Sequence, residues 1–315
     1  MREVAVVTTG FFDGVHLGHR HVLETVVSSA RERGEETIVV TFWPHPRTVL
    51  QQDARDFRLL SSVEEKKERL LSAGIDRVEV LPFTREFAAL KADEYLRLLQ
   101  ESFGATLVVM GYDNRIGADR KTCSQLTEEG YSPETVGCAD PSLKGPSLLC
   151  CRGWHRFQES TPLPSYISST QIRKALEEGK VEEANEMLGY DYELYGVVVS
   201  GNRLGRTIGF PTANMQLYEP LKLVPGNGVY AVSVEVTGRQ FRGMCNIGLR
   251  PTVDGKVRTI ETHILDFDED IYGLPLRLRF LRRIRDERKF PSLNALKEQL
   301  LQDKLLCYGE NCFHP

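Results

Sequence analysis

Apolar and polar positions alternate in two different ways along this chain, and the change falls near residue 189. Val4, Ala5, Val6 and Val7 form an unbroken apolar run, the pattern of a parallel strand buried on both faces. Gly10 then supplies the freedom a tight turn needs, and Val22, Leu23, Val26, Val27 and Ala30 recur at helical spacing, so a helix is expected to run to about Gly34. The alternation continues with a strand at 37–42, a helix at 63–73 capped by Ser62 and stopped by Gly74, a strand at 77–81, a helix at 92–103 and a strand at 106–110. Strand and helix in turn predict a parallel sheet with helices on both faces, a Rossmann-like α/β domain. From Ala118 to Ser165 the periodicity disappears; five of the fifteen prolines lie between Pro133 and Pro164, which predicts a long irregular connection. A single helix at 169–188 follows, with Ile172, Ala175, Leu176, Val181, Ala184 and Leu188 as its apolar stripe and Gly189 as its stop. Beyond it come short runs rich in Val, Tyr and Phe at 195–200, 228–236, 241–247, 259–265 and 276–284, separated by Gly and Pro turns. That pattern predicts an antiparallel β-barrel closed by a C-terminal helix at 293–305. The expected domains are therefore 1–188 and 189–315.

Composition narrows the partners. The chain has 315 residues with 40 Lys+Arg against 44 Asp+Glu, so bulk charge does not favour nucleic acid. No apolar run approaches the roughly 18 residues of a membrane span, and the N-terminus has no signal-peptide pattern, so no membrane partner is expected. Seven scattered cysteines, an odd number, point to reduced thiols and a cytoplasmic setting. Nothing in the pattern fixes an oligomeric state.

The candidate chemistry begins where the first strand ends, at TTGFFDGVHLGHRHVLE. His16 and His19 are three apart, which puts both imidazoles on the first turn of the helix, beside its positive end and its unpaired N–H groups: a phosphate site. The same pair could be half a zinc site with His45 as third ligand. Trp43-Pro44-His45-Pro46 and Gly111-Tyr112-Asp113-Asn114-Arg115 follow other strand ends, so ring-bearing and polar groups collect on one rim of the sheet, where such folds bind ligands. Ser168-Ser169-Thr170-Gln171-Ile172-Arg173 opens a helix with hydroxyls and an arginine, either ordinary capping or an anion cradle. Between Gly196 and Asn214 four glycines fall in fourteen residues, either a Gly-rich hairpin or a backbone that approaches a phosphate. Thr212 and Asn214 offer neutral oxygens suited to Mg²⁺ when a nucleotide supplies the charge. Glu261 alternates with Ile260 and Thr262 on a strand and is either solvated or a general base.

The run G-x-FDGVH-x-GH resembles the HxGH signature of the nucleotidyltransferase superfamily, in the form found in bacterial bifunctional riboflavin kinase/FAD synthetases. TFWPHP at 41–46, SSTQIR at 168–173, GRTIGFPTAN at 205–214, GVY at 228–230, NIGLRPT at 246–252 and IETHILDFDEDIYG at 260–273 resemble the same family in the same order. The resemblance implies a nucleotidyltransferase domain followed by a riboflavin kinase barrel. With ATP and Mg²⁺, the barrel would convert riboflavin to FMN, and the N-terminal domain would adenylylate FMN to FAD. It also implies roles. Gly10, Phe12, His16, His19, Asp113, Ser168, Thr170 and Arg173 would bind the first domain's ATP. Gly205, Arg206, Gly209, Pro211, Thr212, Asn214 and Asn246 would bind ATP or flavin in the kinase, with Thr212 and Asn214 on Mg²⁺ and Glu261 as base. Further flavin contacts would come from around residues 282–288. The chain departs from the family at G-x-D-F-R-F-G, where Asn114 and Ile116 stand in place of both phenylalanines, and in the irregular 118–165 segment. Those departures leave open a kinase or flavin-binding protein with a weakened transferase half.

Overall fold

The computed structural model describes residues 4–50, 57–111, 114–132, 145–151, 167–201, 204–252 and 255–308. Strand β1 (Ala5–Thr9) is buried at every position, because it has a strand on each edge and helices on each face. In chain order the elements that follow are α1 (Leu17–Arg33), β2 (Glu36–Trp43), α2 (Pro46–Leu50), α3 (Val63–Ser72), β3 (Arg77–Pro82), α4 (Arg85–Ala88), α5 (Ala92–Phe103), β4 (Ala105–Gly111), α6 (Cys123–Glu128) and β5 (Ser147–Cys151). The five strands form a parallel sheet in the order β3-β2-β1-β4-β5. The chain moves outward from β1 on one side and restarts at β4 on the other, so the topological switch point lies between the carboxyl ends of β1 and β4. Alternate strand residues build two cores. Val6, Val39, Leu107 and Val109 pack with Leu23, Val26, Ala30 and Leu70 of α1 and α3. Val7, Val40, Val108 and Met110 pack with Tyr95, Leu96, Leu99 and Leu126 of α5 and α6.

The irregular connection expected at 118–165 is corrected in part. It holds α6, whose capping box joins Thr122 and Gln125, and β5, which pairs with β4 from Leu107↔Ser147 to Gly111↔Cys151. Gly117 shows how tightly this segment is tied down. It has a φ of +75°, and a Cβ there would stand 2.2 Å from the Ala92 nitrogen, which already donates to Asp119 Oδ1 at 2.9 Å. Gly117→Ala is expected to destabilise the α/β unit by on the order of 1–3 kcal/mol from the strained backbone alone, read as an earlier thermal transition with the barrel's transition unmoved. An unshifted transition would mean that the loop relaxes without cost.

The chain divides into two compact units, Met1–Ser168 and Ser169–Pro315. The second unit continues with α7 (Ser169–Glu177), α8 (Val181–Leu188), β6 (Glu193–Val199), α9 (Leu204–Thr207), β7 (Ala213–Leu217), β8 (Gly228–Val236), β9 (Arg239–Thr252), β10 (Gly255–Ile264), β11 (Pro275–Arg285) and α10 (Leu293–Tyr308). The expected single helix at 169–188 is two helices, broken where Gly179 turns left-handed at φ +76°. Both are bound to the barrel: Gly226 N donates to Leu176 O at 2.7 Å, and the Asn185 carboxamide donates to Phe280 O and accepts from Tyr192 N, each at 2.8 Å. The strands close into an antiparallel barrel in the order β10-β7-β6-β11-β8-β9. Leu194, Val198, Tyr230, Val232, Val234, Ile247, Ile260, Thr262, Leu276, Leu278 and Phe280 fill its interior. The opposite faces of β8 and β9 present Val229, Ala231 and Met244 to Cys307 and Leu300 of α10.

Candidate active sites

The turn after β1 is strained and doubly clamped. Gly10 was expected to take the unusual backbone angles, but Phe12, Gly14 and Val15 do so, with φ of +50°, +79° and +40°. The left-handed region is costly for a β-branched residue such as Val15. Burial offsets that cost: the Phe12 and Val15 side chains are 5 % and 1 % exposed, inside the core formed by α1 and α3. The first clamp is Asp13, whose carboxylate accepts from Leu60 N at 3.0 and 3.1 Å and from Ser61 N at 3.1 Å, while Ser61 Oγ accepts from Gly14 N at 3.0 Å. The second is Lys66 of α3, whose Nζ donates to the Phe11 carbonyl at 2.9 Å and to Thr41 Oγ1 at 3.0 Å. Sequence reasoning missed both. The available signal was a lysine at i+3 and i−4 from Val63 and Leu70, on the apolar face of its helix.

His16 is the N-cap of α1, with its Nδ1 accepting from His19 N at 3.3 Å. Neutral His16 therefore carries its proton on Nε2. The His19 ring stacks on it, 3.7 Å between centroids and 16° between planes. His19 Nδ1 is buried with no hydrogen-bond partner among the described residues. Burial first, then the facing His16 and the Lys66 charge, hold the His19 pKa well below that of an ordinary imidazole, so His19 is neutral at physiological pH. The zinc alternative finds no geometry. The His45 ring lies against Phe11 and Phe57, at 3.8 and 4.2 Å, its Nδ1 accepts from Arg47 N at 3.0 Å, and no metal-holding group of three His, Cys, Asp or Glu occurs among the described residues.

Asp113 lies outside the described residues. Of the two departures beside it, Asn114 Nδ2 donates to Thr9 O at 3.2 Å, just before the turn, and Ile116 is buried in the core formed by α5 and α6. Ser168 ends the first unit, and Thr170 and Arg173 lie in the first turn and a half of α7, Thr170 exposed and Arg173 half-buried. The chain just before Ser168 passes the helix start: the Ile167 carbonyl is 3.6 Å from where a Gly18 Cβ would be.

In the barrel, β10 pairs with β7 on one edge and β9 on the other, so Glu261 stands opposite Asn214 and Asn246. Cross-strand partners face the same way, which gathers one carboxylate and two carboxamides on one surface. Glu261 and Asn246 of that surface line a cavity of about 560 Å³ under α10, together with Gly205, Phe210, Thr212, His263, Arg285 and Arg288 among others. His263 Nδ1 is 2.8 Å from the Pro211 carbonyl and donates to it, and burial holds its pKa below the usual imidazole value. Arg285 is fixed by the fully buried Asp303, at 2.8 to 3.1 Å. A second cavity of about 510 Å³ opens on the other face of β10, lined by Val198, Pro211, Thr212, Thr262, Ile264 and the loop from Phe267 to Tyr272. Thr212 lies in both walls. Asn214 lines neither and packs against Gly201, where a Cβ would stand 2.2 Å from its Nδ2. Gly209 also lies outside both linings, Arg282 turns to the Leu306 carbonyl, and the Arg206 side chain lies outside the described residues.

The sequence model of the FAD synthetase family matches residues 1–138 and that of the riboflavin kinase family matches residues 188–307. The bifunctional riboflavin kinase/FMN adenylyltransferase of Bacillus subtilis is 36 % identical over 303 residues, 95 % of this chain and 90 % of its own. This chain belongs to that family. The Escherichia coli K12 member is 35 % identical over 306 residues, 96 % of this chain and 92 % of its own. A Streptococcus pneumoniae crystal structure titled as a macrolide-efflux protein superposes with a TM-score of 0.86 at 32 % identity, over 99 % of this chain and 96 % of that one. Among the described residues of this family member, no helix is long and apolar enough to cross a membrane.

Proposed function

We propose that the chain makes FAD from riboflavin in two ATP-dependent steps. The barrel transfers the γ-phosphoryl group of ATP to the ribityl 5′-hydroxyl of riboflavin, releasing ADP. The α/β unit joins the AMP portion of a second ATP to FMN, releasing pyrophosphate. The observation that carries the first step is Thr212 in the walls of two cavities, with Glu261 in the wall of one. The larger cavity, with apolar walls from Val229, Met244 and Phe290 and cations from Arg285 and Arg288, suits a flavin. The smaller takes the nucleotide, so the γ-phosphate meets the hydroxyl beside Thr212. Glu261 accepts the hydroxyl proton as the oxygen attacks phosphorus. Thr212 and Asn214 are the residues that would hold Mg²⁺, their neutral oxygens fitting a cation whose charge is met by phosphates. When bound, the ion neutralises charge on those phosphates.

The strained turn and the start of α1 support the second step. Adenylyl transfer needs alignment and charge stabilisation but no covalent intermediate. The imidazoles of His16 and His19, stacked at 3.7 Å, can donate to phosphate oxygens from a fixed position. The free cysteines Cys123, Cys150, Cys151, Cys245 and Cys307 support a reducing, cytoplasmic setting. Incubation with riboflavin, ATP and Mg²⁺, followed by chromatography of the flavins, tests the reading: FMN should appear first and FAD after it. FMN without FAD would favour the weakened-transferase alternative, and unchanged riboflavin would overturn both.

A further inference from the structure

Helix α3 carries a lysine on its buried face. Lys66 is 1 % exposed, between Val63 and Leu70 in the helical repeat. Burying an ammonium is strongly unfavourable unless it is compensated, and a hydrocarbon side chain would fill the same space without that cost. The compensation here is specific. Nζ donates to the Phe11 carbonyl at 2.9 Å and to Thr41 Oγ1 at 3.0 Å, and it lies 3.9 Å from the centre of the Phe11 ring. The hydrogen-bond acceptors are neutral, so the positive charge is directed into the turn rather than spent in a contact ion pair.

We infer that Lys66 is a positioning residue for adenylyl transfer: from α3 it fixes the Phe11 carbonyl of the phosphate turn and sets its ammonium charge beside the His19 imidazole. The inference rests on the reading of this turn as the AMP-transfer site and adds a residue and a task to it. An uncharged imidazole binds the ground-state triphosphate less strongly than an imidazolium would. Its hydrogen bond strengthens as charge builds on the leaving pyrophosphate, which is the condition for lowering a barrier. The charged or titratable groups around Lys66 are Asp13 in the turn, His16 and His19 on α1, and Glu65 on its own helix, whose carboxylate is engaged by Ser62 N at 2.7 Å. Burial lowers the Lys66 pKa to about 8, with Asp13 opposing the shift. The lysine is therefore mostly charged at neutral pH and gives up that charge as the pH rises through about 8.

The test uses Lys66→Met, which removes charge and donor, and Lys66→Gln, which removes the charge and keeps a donor, both in the full chain. FAD formation from FMN, ATP and Mg²⁺ is followed from pH 6 to 9, and the His19 ring is titrated by NMR, its signal identified by its loss in His19→Gln. The kcat/KM for FAD formation should fall about 10- to 100-fold in Lys66→Met and less in Lys66→Gln. His19 should titrate at higher pH in both; in the wild type the rate should decline above about pH 8, where the neutral amine holds the Phe11 carbonyl less firmly, and neither variant should show that decline. Riboflavin phosphorylation, carried by the other unit, should not change. A His19 titration and a pH profile that stay as in the wild type would overturn the inference whatever the rate loss, since packing alone would explain it. Loss of the α/β fold in both variants would overturn it too, making Lys66 a folding residue. A wild-type chain that makes no FAD would sink the transferase reading instead; the NMR titration, which needs no activity, separates that outcome from a failure of the lysine–histidine coupling.

Discussion

Glu261→Gln is expected to phosphorylate riboflavin roughly 10²- to 10⁴-fold more slowly while still turning supplied FMN into FAD. The substitution keeps the size of the side chain and its hydrogen-bonding reach, so the pairing of β10 with β7 and β9, and the facing of residue 261 by Asn214 and Asn246, stay intact. What it removes, on the proposed reading, is an acceptor for the proton that leaves the ribityl hydroxyl. Thr212 remains in the wall of both cavities, so ATP and flavin still bind and the loss should fall on kcat rather than KM. His263 is a poor substitute for the carboxylate, because burial disfavours its protonated form. The measurement is the initial rate of FMN formation, with FAD formation from supplied FMN as internal control. An unchanged FMN rate would reduce Glu261 to a bystander on the cavity wall.

The elements that could be read from the sequence are those whose burial is one-dimensional. Strands β1, β2 and β4 are covered on both faces and show as apolar runs, and α5 announces itself by a strong stripe and the left-handed Gly104 at its end. Helix α6 and β5 escaped because six and five residues, with Leu126 in one and Leu148 and Leu149 in the other as large apolar residues, carry too little periodicity. β7 was hidden by the glycines before it, and its five residues matter because they set Asn214 opposite Glu261. The break at Gly179 escaped because α8 resumes the burial of Val181, Ala184 and Leu188 on the same apolar stripe. Around the candidate sites, the pairing of His16 with His19 was legible from their spacing of three at the helix start. Asp13 and Lys66 were not, because what they hold lies 47 and 55 residues away along the chain. Nor could alternation along β10 reveal that its two faces open on separate cavities sharing Thr212, since that requires the closed barrel and α10.

His19→Ala is expected to lower FAD formation by about 10²- to 10³-fold, the cost of removing one preorganised donor from a charge-stabilising site, so that FMN accumulates from riboflavin at the unmutated rate. His19 is the better of the two histidines to remove. His16 caps α1, with its Nδ1 accepting from His19 N, so His16→Ala would lose a cap as well as a donor, and a fall in activity could reflect a frayed helix start. The His19 ring has no such capping role: its Nδ1 has no hydrogen-bond partner among the described residues. Its ring stacks on His16 at 3.7 Å and meets Phe12 at 5.2 Å, and alanine is a strong helix former at that position. The fold of the α/β unit should therefore survive, which circular dichroism and an unchanged thermal transition would verify. The residues proposed for the kinase step all lie in the second unit, so the FMN step serves as control within the same reaction. Because the imidazole is held uncharged by burial, His16 and Lys66, its contribution should appear in kcat more than in the KM for ATP. FAD appearing at the wild-type rate in the folded variant would remove the histidine pair from the mechanism and leave the strained turn without a catalytic role.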